Sequence, residues 1–306
     1  MFAPYLSSFE QVYTNHDNAS NTPGTAVTPG ASNAEGAYTA IASSANIASD
    51  VYWVRLWVAG GGTAAQAKNH LLDIGVDPAG GTAYAEVISN LVCGGSSLAG
   101  EGGQQFMFPL FIKAGSSVAV RIQGSHATAG TVRVSMDFMG NPSRPEVVRV
   151  GSFSETIGTI TNSLGVSLTP GDNNAEGTWV SLGTTAKAMW WWQVGVQFDD
   201  TQTTNITYHF DLAYGDATNK VMILENVLIL LPGSSERYTL LLHAFGYREV
   251  PAGSEIFVRG TCGGTSEDQP KVAPLEMLRS TAVSSLPGGD DVVRETSRLT
   301  APSCTT

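Results

Sequence analysis

A phrase of eleven residues occurs twice in this chain and constrains its fold more than any other feature. TPGASNAEGAY begins at Thr28 and TPGDNNAEGTW begins at Thr169, an offset of 141 positions (169 − 28). Each phrase contains two turn signals, Thr-Pro-Gly and Asn-Ala-Glu-Gly, followed by an aromatic residue that starts a strand. The presence of the same turns and strand start at two places predicts that a larger unit around them is duplicated.

The repeat continues through three further pairs of blocks. VYWVRLWV corresponds to MWWWQVGV, LDIGV to FDLAY, and AGSSVAVR to AGSEIFVR, all at an offset of 138 (189 − 51). These blocks place Asp73 on Asp211 and Arg121 on Arg259. The period is much longer than the roughly 20–50 residues of a solenoid or propeller repeat. The chain is therefore predicted to contain two tandem domains of one fold.

The repeat predicts four parts of the chain. Residues 1–21 form an N-terminal arm, residues 22–145 the first repeat, residues 146–279 the second repeat, and residues 280–306 an extended C-terminal tail. The connecting segment GNPSRPEVVRV carries two prolines, which suits a hinge.

Strict alternation of apolar and polar residues indicates strands with one buried face. NITYHFDLAY, VRVSMDFMG and SVAVRIQG all show this period of two. Roughly seven or eight such segments occur in each copy, separated by Gly, Pro, Asn and Asp clusters. The predicted fold is all-β, with two tandem antiparallel β-sandwich domains of jelly-roll-like topology.

Composition excludes several classes of partner. The chain of 306 residues has 16 Lys+Arg and 27 Asp+Glu, a formal net charge of −11, so we expect neither nucleic acid nor an anionic membrane surface as a partner. The most apolar stretch, KVMILENVLILLPG, is interrupted by Glu225 and Asn226 and is too short to span a bilayer. The N-terminus lacks the pattern of a secretory signal, which predicts that the chain is made in the cytoplasm.

No catalytic motif stands out in the sequence. G-x-S-x-G, H-E-x-x-H, the P-loop and a helix-opening G-x-G-x-x-G are all missing. We therefore expect no enzyme activity, no catalytic residue, no metal and no cofactor.

Two aromatic blocks at corresponding positions of the repeats are candidate interface residues. Adjacent Trp residues in a strand point to both faces, so at least one ring faces outward unless another surface covers it. Burial against a domain or subunit, where Trp is enriched, is one interpretation, and a stacking platform for sugars is the other. The residues concerned are Tyr52, Trp53, Trp57, Trp190, Trp191 and Trp192.

The repeated phrase and the cysteines supply the remaining candidates. Glu35 and Glu176 hold the same place in the two phrases, where they are solvated turn residues or contact a cation or a neighbouring subunit. Cys93 and Cys262 follow apolar stretches and are expected in the core or in loops. Cys304 lies in the polar tail and is a candidate for an interchain disulfide.

The blocks together resemble virion structural proteins of tailed bacteriophages. The resemblance rests on Asp73–Val76, Phe108–Gln123 and Val132–Gly140, with a partial second set at Asp211–Tyr214 and Pro251–Arg259. It covers both repeats and omits the arm and the tail. The second copy departs from the pattern because it lacks a clear counterpart of FPLFI and a clean last strand. The resemblance implies a particle component with no catalytic residues to carry over.

The sequence thus favours a non-enzymatic structural component of a tailed-phage virion, an accessory head-decoration or neck, collar or tail protein. Its expected partners are further copies of itself, in a homo-oligomer, and other virion proteins. The alternative is a carbohydrate-binding receptor module on the tail or fibre. A sandwich-fold hydrolase is a third hypothesis, and it requires two carboxylates converging in one groove.

Overall fold

A computed structural model describes thirteen parts of the chain, and the secondary structure in them is all β. No helix within these parts is long and apolar enough to cross a membrane. The described residues are 10–16, 24–31, 33–60, 68–95, 104–124, 130–140, 151, 154–158, 165–197, 206–231, 239–244, 249–264 and 271–278. Their strands are β1 (Glu10–Thr14), β2 (Thr25–Val27), β3 (Thr39–Ala42), β4 (Val51–Gly60), β5 (Lys68–Asp77), β6 (Ala85–Gly95), β7 (Gln104–Phe108), β8 (Ser117–Gly124), β9 (Val132–Gly140), β10 (Ser154–Thr156), β11 (Val166–Ser167), β12 (Val180–Thr184), β13 (Met189–Gln197), β14 (Ile206–Gly215), β15 (Lys220–Leu231), β16 (Thr239–Ala244), β17 (Glu255–Cys262) and β18 (Lys271–Leu278).

Strands β1 to β9 form the two sheets of a first antiparallel sandwich. One sheet has the order β1-β9-β4-β7, with β2 also paired to β9, and the other has the order β6-β5-β8-β3. Most sequence neighbours lie in different sheets, so the chain crosses repeatedly between the two layers. This strand order is that of a jelly roll.

Strands β10 to β18 repeat the same topology. Their sheets have the orders β10-β18-β13-β16, with β11 on β18, and β15-β14-β17-β12. Each strand of the second copy therefore corresponds to the strand nine positions earlier in the first. The predicted all-β fold of two tandem jelly-roll-like sandwiches is confirmed.

The structure adds strands at places where the sequence suggested none. Residues Glu10–Thr14, which the repeat pattern assigned to the arm, pair with β9 as an edge strand of the first sandwich. The last strand of the second copy, which lacks clean alternation, forms as Lys271–Leu278 and pairs with β13. Neighbouring strands, β9 for the first segment and β10 and β13 for the second, supply the backbone hydrogen bonds that hold these segments extended.

The two sandwiches join edge to edge. Strand β10 pairs in parallel with β6, with Ser154 opposite Ile88. The Thr156 hydroxyl donates a hydrogen bond to the Ser89 carbonyl at 2.7 Å. One sheet from each copy thereby becomes part of a single nine-stranded sheet.

Each sandwich has its own hydrophobic core. In the first, Val132, Val134 and Phe138 alternate inward along β9 and are completely buried. In the second, Tyr208 and Phe210 on β14 belong to a separate cluster of buried residues. The alternation in the sequence thus marks the faces that the two layers bury against each other.

The repeated phrase lies along β8 in the first copy. The Asn33 N–H donates to the Gly124 carbonyl at 2.9 Å, and the Gly36 N–H donates to the Ile122 carbonyl at 2.8 Å. Asn33 has a φ of 57°, which Asn tolerates better than most residues. A Cβ on Gly36 would lie 2.5 Å from the Thr28 carbonyl oxygen, so no larger residue fits this position.

The second phrase makes the same bonds to β17. Asn174 donates to the Cys262 carbonyl at 2.8 Å, and Gly177 donates to the Gly260 carbonyl at 2.9 Å. Asn174 has a φ of 63°. The phrase is repeated because its Asn and Gly positions fix one loop against one strand in both sandwiches.

Candidate functional site

Three ion pairs of the first sandwich meet at Arg121. We call this cluster the first corner (Glu35, Tyr38, Asp73, Glu86 and Arg121). The Arg121 Nε donates to Asp73 Oδ2 at 2.9 Å, and its Nη1 lies 2.6 Å from Glu35 Oε2. Its Nη2 donates to Glu86 Oε1. One guanidinium therefore binds three carboxylates.

Strand register and a β-bulge bring these groups together. Asp73 on β5 lies directly opposite Arg121 on β8. The register of β5 against β6 shifts beside Asp73, where Asn90 has a φ of 55°. This bulge directs the Asn90 N–H to Asp73 Oδ1 at 2.7 Å. Asp73 is thus held by a backbone N–H on one side and by a guanidinium on the other.

The second corner (Glu176, Trp179, Asp211 and Arg259) repeats this arrangement. The Arg259 Nε donates to Asp211 Oδ2 at 2.8 Å, and its Nη2 donates to Glu176 Oε1 at 2.7 Å. The Asn226 N–H donates to Asp211 Oδ1 at 2.8 Å, again from a bulge residue, with a φ of 53°. Ion pair, bulge and repeated phrase are therefore duplicated as one unit.

An aromatic ring lies against each guanidinium. The Arg121 guanidinium carbon is 4.8 Å from the centre of the Tyr38 ring, and that of Arg259 is 4.5 Å from the Trp179 ring. Both rings belong to the last residue of the repeated phrase. Contact of an arginine with an aromatic face is favourable.

Burial sets the electrostatics of the first corner. It raises the pKa of Asp73, while the Asn90 N–H and the Arg121 guanidinium oppose this rise. Burial likewise raises the pKa of Glu35, against the attraction of Arg121. Burial raises the pKa of Tyr38 to about 12. Burial lowers the pKa of Arg121, but its hydrogen bond to Asp73 and the surrounding negative charges raise it overall, so the guanidinium stays charged.

The two corners differ in one carboxylate. Glu86 lies opposite Gly75 on β5, and the corresponding position opposite Ala213 on β14 is Met222. Arg121 therefore faces three carboxylates and Arg259 two.

The carboxylate oxygens of Glu35, Asp73 and Glu86 lie within 4.8 Å of one another, a spacing that also suits a metal ion. The Arg121 guanidinium contacts all three and occupies the position between them. This corner is accordingly an arginine–carboxylate network in which each of the three carboxylates is paired with the same guanidinium.

The aromatic candidates of the first copy have unequal exposure. Tyr52 is buried, and its ring centre lies 5.6 Å from that of Phe111 in an edge-to-face arrangement. Trp53 is half-buried. Trp57 is 37% exposed, and the Arg55 guanidinium carbon lies 5.6 Å from its ring. Trp57 is the only one of the three with an exposed ring.

In the second copy only one aromatic candidate has a described side chain. Trp192 is fully buried in the core cluster. Trp190 and Trp191 lie on β13, and their side chains are outside the described part of the structure.

The cysteines of the two sandwiches are buried. Burial raises the pKa of the Cys93 thiol to about 12. The Cys262 thiol donates to the Gly264 carbonyl at 2.8 Å. Cys304, the candidate for an interchain disulfide, lies outside the described residues.

The pairing of Glu35 and Glu176 with arginines of their own sandwich was not anticipated from the sequence. A signal for it existed, because Glu, Asp and Arg recur at corresponding positions in both copies. The sequence did not indicate that the phrase, β5 and β8 meet at one point.

No family model and no curated protein matches this chain. Among solved structures it is similar to PNGF-II, at 9% identity and a TM-score of 0.35, over 90% of this chain and 66% of that one. It is similar to Broad Bean Stain Virus, at 10% identity and a TM-score of 0.32, over 75% of this chain and 76% of that one. It is also similar to the CBM22-1-CBM22-2 tandem domain of Paenibacillus barcinonensis Xyn10C, at 10% identity and a TM-score of 0.27, over 89% of this chain and 98% of that one. Similarities at this level assign no function to the chain.

Proposed function

We propose that this protein is a non-enzymatic structural component of a tailed-phage virion, in an accessory head-decoration, neck, collar or tail position. The observation that carries the proposal is the presence of one jelly roll twice in the chain, joined edge to edge in a single sheet. A chain of this kind offers two similar surfaces to a symmetric assembly, which suits a tiled subunit.

The chemistry of the two corners supports a structural role. Each arginine binds carboxylates of its own sandwich and stacks on an aromatic ring, so the network ties a loop to the sheet. Networks satisfied in this way rigidify a fold. The resemblance of the blocks to virion proteins of tailed phages points in the same direction.

The test is the mass of the purified protein in solution, measured by light scattering with and without reducing agent. We expect a stable homo-oligomer of defined mass. A mass that falls on reduction, and that is unchanged by reducing agent in Cys304→Ser, would assign a crosslink to Cys304. A monomer at all concentrations would contradict the proposal.

Carbohydrate binding is the second candidate function, and the exposure of Trp57 favours it. Its ring lies on β4 beside Arg55, whose Nε donates to Asp137 Oδ2 at 2.7 Å. An exposed ring flanked by a charged pair is a suitable platform for a sugar.

A glycan array with the wild type, Trp57→Ala and Thr184→Ala separates the two functions. Thr184 is the control because it is an exposed strand residue outside β4. Glycan binding that is lost only in Trp57→Ala would support the carbohydrate-binding function. Without glycan binding by the wild type, this second candidate is rejected.

A further inference from the structure

The junction between the two sandwiches uses one edge from each copy. The first copy contributes the outer edge of β6, and the second contributes β10. The counterpart of β6 in the second copy is β15, and the counterpart of β10 in the first copy is β1. Each of these lies at the end of its sheet among the described residues. The chain therefore carries both halves of its own junction a second time.

Strand β15 is more exposed than its counterpart β6, and the difference is largest at Leu228. On β6, Val92 lies opposite Leu71 of β5. On β15, Leu228 lies opposite His209 of β14, so Leu228 is the counterpart of Val92. Val92 is 3% exposed and Leu228 is 60% exposed.

The same contrast holds closer to the point of pairing. Ile88, which lies opposite Ser154 of β10, is fully buried, while its counterpart Leu224 is half-buried. Ser89 is half-buried, and its counterpart Glu225 is exposed. Strand β6, which has β10 on its outer edge, is thus more buried than β15, and the first core accounts for part of the burial of Ile88.

Strand β1 corresponds to β10, except that a bulge between Gln11 and Tyr13 gives β1 one extra residue. Thr14 lies opposite Asp137 and Thr156 lies opposite Leu275, positions that differ by the repeat offset of 138 (275 − 137). Both positions carry threonine. The Thr156 hydroxyl donates to the Ser89 carbonyl across the junction. The counterpart of that acceptor is the Glu225 carbonyl.

We propose that β1 of one chain pairs in parallel with β15 of a second copy and so repeats the β6–β10 junction between chains. This inference rests on the proposed structural function and names the partner, a further copy of the same chain. Gln11 then lies opposite Leu224, the bulge of β1 takes up the extra residue before Thr14, and the Thr14 hydroxyl donates to the Glu225 carbonyl. Leu228 is covered at the end of this contact. An exposed strand edge bearing an apolar residue is a template for such pairing.

The contact joins different surfaces of the two chains, so it is heterologous. Contacts of this kind generate a ring where the rotation between subunits closes and a filament where it does not. The nine-stranded sheet within one chain continues from subunit to subunit in either case.

Two single substitutions remove one half of the contact each. Leu228→Lys places a charge where an apolar side chain is to be buried. Thr14→Asp removes the hydroxyl donor and places a carboxylate against the Glu225 carbonyl, while an oxygen remains to accept from the His16 N–H. Thr184→Lys is the matched control, because it adds a charge to an exposed position on β12, the opposite edge of the sheet that contains β15.

Each of the two variants alone is expected to weaken self-association by roughly tenfold or more, as burial of one Leu would predict, and Thr184→Lys to leave it unchanged. Mixing is the decisive measurement. Leu228→Lys retains a competent β1 and Thr14→Asp retains a competent β15, so an equimolar mixture should give a dimer of one chain of each kind. Native mass spectrometry with one variant isotope-labelled identifies that dimer.

The outcomes separate this inference from the proposed function. A wild-type oligomer that neither substitution weakens overturns the β1–β15 contact and leaves the structural function standing. Variants that are monomeric alone and in the mixture overturn the heterologous contact. A wild-type monomer contradicts both proposals. Circular dichroism of each variant checks that the β fold is retained.

Discussion

Arg121 and Arg259 are the central residues of the two corners, because every carboxylate of a corner pairs with its arginine. Asp73 and Asp211 are buried, so their charges need compensation that solvent cannot supply. Arginine suits this position because its planar, forked guanidinium binds several carboxylates at once and stacks on a ring.

Arg121→Met is expected to lower the free energy of unfolding by about 3 kcal/mol, because it leaves three carboxylates close together and one of them buried. Arg259→Met leaves two and should cost less. Urea denaturation followed by tryptophan fluorescence gives both values. Arg133→Met, which removes a guanidinium with a hydrogen bond of 3.4 Å to the Gly24 carbonyl, is the control. An equal or larger loss in Arg259→Met would contradict the role assigned to the third carboxylate.

The Tyr38 phenol should lose its proton at a higher pH than an ordinary tyrosine. Burial raises the pKa of its phenol from 10.0 to about 12. The folded state therefore holds this proton more tightly than the unfolded state, and the stability it contributes is present below pH 10 and lost as the pH rises towards 12. A spectrophotometric titration of wild type minus Tyr38→Phe isolates this phenol. A difference curve centred near pH 10 would show that the ring is solvated.

At the level of single strands, much of the fold could be predicted from the alternation of residues. SVAVRIQG placed Val118, Val120 and Ile122 on one face, and all three are buried on β8. Strands β1 and β18 were missed because partner strands, and not a local pattern, hold them extended. The parallel pairing of β6 with β10 was missed for the same reason, since it involves distant segments joined by no hairpin.

The bulges could not be predicted from the sequence either. Asn90 and Asn226 lie inside strands, and their positive φ follows from the extra residue that each bulge places opposite Asp73 or Asp211. The recurrence of Asp and Arg in both copies was visible in the sequence. Their convergence on Glu35 and Glu176 required the sheet order, because the phrase and its partner strand are far apart in the chain.

The bulge residue of β6 offers a test at this scale. Asn90→Val should lower the free energy of unfolding by about 1–3 kcal/mol, because a β-branched residue is strained at a φ of 55°. Asn90→Gly, which adopts this φ without strain, is the matched control and should be nearly neutral. Thermal unfolding measures both. A Val variant as stable as the Gly variant would show that β6 tolerates loss of the bulge.

For the molecule as a whole, the duplication separates two tasks. Each sandwich has its own core and its own corner, so each is stabilised by contacts within one copy. The counterparts of the joined strands β10 and β6 are β1 and β15, and each of these lies at the end of its sheet among the described residues. Stability thus resides inside the sandwiches, and association is assigned to their edges.

The net charge of the chain predicts how self-association depends on salt. Copies that each carry −11 repel one another, and the proposed contact is made by backbone hydrogen bonds and Leu228 rather than by opposite charges. Raising the salt from about 0.01 M to about 0.15 M shortens the Debye length from roughly 30 Å to roughly 8 Å, so self-association of the wild type should strengthen. Light scattering across this range measures it, with Leu228→Lys as the variant that stays weakly associated throughout. A wild-type mass that falls with added salt would mean that ion pairs hold the subunits together, and the β1–β15 contact would not explain the assembly.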